Sequence, residues 1–135
     1  MLLSLLTKED KSYFLDLLRQ LLLIDGEQNE IEKQIYKKFK FEMGEDILKH
    51  RTNNAKTPQL IAYFEDKSHT TKNIVFMNLI SASLRDEWYN VETHTFIDEV
   101  QKAFKISDKK RIELMKVVYA ERDLREKAKR TINEE

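Results

Sequence analysis

Carboxylates crowd two short stretches of the chain, IDGEQNEIE (Ile24–Glu32) and RDEWYNVE (Arg85–Glu92), each placed between an apolar helical pattern and the start of another helix. Acids in such positions have a bland use and a chemical one. At a helix start they complement the macrodipole by about 0.3–1 kcal/mol each and bind nothing. As hard oxygen donors they can also hold a divalent cation, Ca²⁺ or Mg²⁺, which take about six to eight oxygens, some from water. DGEQNEIE is not an EF-hand, because Gly26 follows Asp25 directly and the spaced ligand pattern never completes. Other reactive groups are sparse. His50, His69 and His94 share no ligand spacing and read as surface histidines. No Gly-rich nucleophile turn or P-loop surrounds any Ser or Thr, so an enzyme is not expected. The absence of cysteine removes thiolate chemistry, disulfides and Cys-based zinc sites together, and suits a reducing compartment.

The elements that must position these acids are helices. Two Gly and one Pro in 135 residues leave few sharp turns, and apolar residues recur at helical rather than strand spacing. Thr7 caps a first helix with Asp10 in its opening turn, carrying Phe14, Leu17, Leu18, Leu21 and Leu22 to about Ile24. Leu15 and Leu23 widen that stripe and predict a central position. Asn29 caps a second helix with Ile35, Tyr36, Phe39 and Met43 on one face, ended by Gly44. A short piece around Asp46 to Lys49 and a loop, Arg51 to Lys56, lead to a short helix opened by Thr57 and Pro58. A strongly apolar helix through Val75, Phe76, Leu79, Ile80 and Ala82 forms the second central element. Asn90 and Ser107 cap the last two helices, and beyond Leu124 the polar chain is expected to fray.

One register aligns the two halves. Superposing Asp25 on Asp86 also pairs Asn29 with Asn90, Ile35 with Phe96, Phe39 with Val100 and Met43 with Phe104; upstream it pairs Leu15 with Phe76 and Leu18 with Leu79. Each half then reads as apolar helix, acidic turn, capped helix, the mark of a duplication. The expected fold is all-α, one domain over residues 1–135 with six or seven helices in two pseudo-symmetric halves, its core from about Thr7 to Tyr119 and a polar tail over 125–135.

IDGEQNEIE after an apolar helix resembles the signature of the TerB-like (tellurite-resistance) domain, and RDEWYNVE resembles a degenerate second copy with Glu87 where the Gly would stand. The resemblance extends from about Thr7 to Tyr119. It implies a compact helical fold of two related halves, found alone or fused to other modules in bacterial and phage stress-related proteins. It also implies a divalent-cation site built from acids of both turns, which on this chain nominates Asp25, Glu27, Asp86 and Glu87, with Glu30, Glu32 and Glu92 as secondary ligands. Gln28 and the bulky Trp88 and Tyr89 depart from that pattern.

Lys plus Arg equals Asp plus Glu at 24 each, so no global field favours nucleic acid or an anionic membrane. The apolar start MLLSLL is broken by Lys8, Glu9 and Asp10, too soon for a leader or a membrane span, and a cytoplasmic location is expected. The last helix concentrates basic residues, Lys109 to Arg130, among interspersed acids, the pattern of a solvated face. Trp88, in a polar turn, either packs beneath the helices or anchors a protein partner. The reading favoured by the sequence is a non-enzymatic stress-associated or regulatory module that binds protein partners and a divalent cation. The alternatives are a nucleic-acid-associated protein using the basic C-terminal helix, without sequence-specific binding, and an undetected hydrolase.

Overall fold

The computed structural model of the chain describes residues 1–24, 30–52, 55–85 and 90–135. Several of its helices begin where small polar side chains can accept from orphan backbone N–H groups. Thr7 Oγ1 accepts from Asp10 N at 3.0 Å and opens α1 (Lys8–Leu22). Helix α2 spans Glu30–Glu42 and stops at Gly44, whose φ of +106° is left-handed territory. A Cβ there would meet nothing closer than Asp46 Oδ1 at 3.7 Å, so the backbone angle and not space selects glycine. A 3₁₀ turn (Glu45–Ile47) follows, and α3 (Thr57–Phe64) starts with Pro58 in its first turn. Ser68 Oγ accepts from Thr71 N to open α4 (His69–Arg85). Asn90 and Ser107 cap α5 (Val91–Ala103) and α6 (Asp108–Asn133), as their positions predict.

Helices α1 and α4 form the centre. Helix α1 touches α2, α3, α4 and the 3₁₀ turn, while α4 touches α1, α5 and α6. Every residue of α4 from Ile74 to Ser83 is buried, so this helix has no solvent face over its middle turns. Around the pair, Phe14 meets Phe39 and Phe64 meets Phe104, closing one core across α1, α2, α3 and α5. The described residues make a single compact all-helical domain.

Helix α6 differs from the expectation for its end. The stretch beyond Leu124, expected to fray, is helical as far as Asn133. Polar composition removes burial, not helicity: Ala, Lys, Arg and Glu are strong helix formers, and Glu121–Arg125 and Glu126–Lys129 pair along the helix at 2.6 and 3.5 Å.

Leu18 and Leu79, equivalent in the aligned halves, are both fully buried. Leu18→Ala and Leu79→Ala are each expected to destabilise the fold by about 2–5 kcal/mol. Denaturant titration of the two variants checks this, with losses near zero placing the residues outside the core.

Candidate functional site

The acids nominated by the resemblance fall unevenly on the structure. Asp25, Glu27, Asp86 and Glu87, and with them Trp88, lie outside the described residues. Of the secondary acids, Glu30 is exposed at the first position of α2 and reaches Lys33 Nζ at 3.4 Å. Glu32 is buried one turn start later, at 3% exposure, an uncommon state for a carboxylate. Glu92 is exposed in the first turn of α5. Among the described residues no three His, Cys, Asp or Glu side chains come together as a metal-binding group.

What the structure does bring together are the flanks of the two acidic stretches. Ile24, which directly precedes Asp25, lines a groove of about 320 Å³ with Val91, Glu92, Phe96 and Glu99 of α5 and Thr57 of α3. The floor is apolar and two glutamates stand on its wall. The end of α1 and the start of α5 are therefore neighbours in space.

A second polar constellation lies on α1, where three charged side chains are buried: Asp10, Lys11 and Asp16. Each has a partner from a different segment. Tyr63 of α3 donates its hydroxyl to Asp10 Oδ1 at 2.7 Å while its ring stacks on Tyr13 at 3.6 Å. Lys11 Nζ donates to both oxygens of Asp46 in the 3₁₀ turn, at 3.2 and 3.3 Å. His50 Nε2 lies 2.8 Å from Asp16 Oδ1, with the two side chains only 12% and 5% exposed. Lys40 of α2 secures the same segment by donating to the His50 carbonyl. Burial, followed by the acceptor Asp10, pushes the Tyr63 hydroxyl well above its usual pKa. Burial also raises that of Tyr36, against a lowering hydrogen bond from Thr52.

His50 thus corrects the reading of the three histidines as surface residues. The segment holding it folds back over α1, whose residues from Phe14 to Leu18 are all buried, so Asp16 has no solvent and its carboxylate takes the nearest donor. His69 and His94 are exposed as expected, His94 pairing with Asp98 along α5 at 3.2 Å. The sequence signal for the missed pair is Asp16 itself, set between Leu15 and Leu17 in a stretch apolar on every face.

Among the described residues, five of the nine basic residues of α6 pair with acids, Arg122 with Asp123 among them. Arg111 Nη1 donates to Asp98 Oδ1 and to Gln101 Oε1, and this guanidinium holds the Asp98 carboxyl below its ordinary pKa. Lys110, Arg125 and Lys129 reach Glu113, Glu121 and Glu126. No helix among the described residues is long and apolar enough to cross a membrane. No protein-family model, curated protein or solved structure matches the chain.

Removing one partner of a buried pair leaves the other without compensation. His50→Ala is expected to destabilise the fold by about 3 kcal/mol. In a double-mutant cycle with Asp16→Asn the two losses should be strongly non-additive, and additive losses would mean that the two side chains do not act as a pair.

Proposed function

We propose that the chain is a non-enzymatic helical module, regulatory or stress-associated as the TerB-like resemblance implies, that docks a helix of a partner protein along α6. The observation that carries this is the economy of α6's own packing. Of its 26 residues only Val118 is fully buried, and the helix packs against α4 alone among its major contacts. Val117, Leu124 and Ile132 stand exposed at 47, 66 and 79%, and from Arg122 onward only Arg125 is even partly covered. A helix that long gains little from its own domain, yet presents apolar residues seven and eight apart between charges of both signs. That is the surface a partner helix would need for contact and register. Mixed charge favours a protein over nucleic acid as the occupant. Proteins captured on the wild-type chain should be lost with the Leu124→Lys, Ile132→Lys double variant, whose melting temperature should match the wild type. Loss of capture on nuclease treatment instead would overturn the protein-docking reading.

A second reading, a Ca²⁺ or Mg²⁺ site formed by Asp25, Glu27, Asp86 and Glu87, is favoured by the shared groove at the end of α1 and the start of α5. Neighbouring flanks would bring like charges close, and a divalent cation would relieve their repulsion. Glu92 and Glu99 on the groove wall add oxygens to the same neighbourhood. A cation at about 100 times its Kd should stabilise the fold by roughly 2.7 kcal/mol. Thermal melts with and without millimolar cation read this, and Asp25→Asn with Asp86→Asn should abolish the shift; an unchanged response in the double variant assigns these acids to capping alone.

A further inference from the structure

At the opposite end of α4 from its acidic neighbour lies a pocket of about 320 Å³ between the N-terminal ends of α4 and α6. Lys72, Lys105, Lys110 and His69 line it, and no acidic side chain does. Phe104 and Ile106 close its apolar side. We infer that this pocket binds the phosphate group of a small phosphorylated molecule.

Lys72 carries the inference. It sits in the first turn of α4, only 8% exposed, and among the described residues its ammonium has neither a hydrogen bond nor an ion pair. Its stem is buried while its ammonium reaches the pocket, which no carboxylate lines. The other ionisable groups on the pocket wall are two further lysines and a histidine, so an anion there meets positive charge from several sides. The backbone has the same sign. His69, the first residue of α4, and Ser107, the cap of α6, both line the pocket, so the positive ends of two helix dipoles lie beside it. Asp108, the acid nearest α6's start, is turned away. Its Oδ1 accepts from Gln101 Nε2 at 2.8 Å and lines the adjoining cleft with Arg111. Asn73 and Ser107 supply neutral polar groups on the pocket wall for the remainder of the ligand.

The pocket is larger than a bare phosphate needs and falls within the range of small-molecule sites, about 300–1,000 Å³. An ester of phosphate is therefore the better fit, the phosphate on Lys72 and the organic part toward Phe104 and Ile106.

Titration of the full chain with inorganic phosphate and with ribose 5-phosphate, followed by amide chemical shifts at constant ionic strength, tests the assignment. Saturable shifts centred on residues 69–73 and 104–110 are expected, with ribose 5-phosphate the tighter ligand; equal affinities would assign the site to free phosphate. Lys72→Met should weaken binding at least about tenfold. Lys110→Met, at an exposed position, should weaken it less and serves if the Lys72 variant does not fold. An absence of saturable shifts at about 10 mM of either ligand, or affinities unchanged in both variants, would overturn the assignment.

Discussion

Helix α1 is buried on nearly every side and nevertheless carries Asp10, Lys11 and Asp16 into the interior. That single constraint organises the segments around it. A buried charge without a partner costs several kcal/mol, so each of the three must be met, and each is met by a residue distant in sequence: Tyr63, Asp46 and His50. The three contacts fix α3 and the connection after α2 against the same helix. The apolar core alone would permit these segments to slide, since hydrophobic contact has no direction; the polar contacts have one.

The fold is accordingly tight on the α1 side and spare on the α6 side. Helices α1 and α4 bury the large apolar residues, with α2, α3 and α5 covering them. Helix α6 is secured chiefly near its start, where Arg111 grips Asp98 and Gln101, and Gln101 in turn reaches the Ile106 carbonyl and Asp108. Its later turns hold themselves up by helix propensity and by pairs along their own surface. A helix so built is stiff without being covered.

The sequence disclosed helices, caps and core because each of these is local. Thr7, Asn90 and Ser107 announce helix starts through the geometry of one side chain and one N–H, and the burial of Leu18 and Leu79 follows from spacing. The Asp16–His50 contact joins residues 34 apart and is invisible to periodicity. It required knowing that the connection after Gly44 doubles back on α1. The pocket at the starts of α4 and α6 was hidden for the same reason: Lys72 and Lys105 are separated in sequence by the rest of α4 and all of α5, and their proximity is a property of packing. The end of α6 misled in the other direction, because a polar stretch reads as loose when only burial is considered and helix propensity is left out.

Charge placement along α4 separates the two ligand readings by their cost. Acids that follow α4 in sequence, Asp86 and Glu87, oppose the negative end of its dipole, but the same acids precede α5, where negative charge is favourable. Their presence is compatible with a purely structural role. Lys72 enjoys no such balance. It places positive charge at the positive end of α4, in a first turn that contains no acid, and buries the stem that carries it. Local rules of helix design are broken there with no compensating contact among the described residues, and such breaks concentrate at functional sites. The basic pocket is thus the place where the chain departs furthest from what folding alone would select.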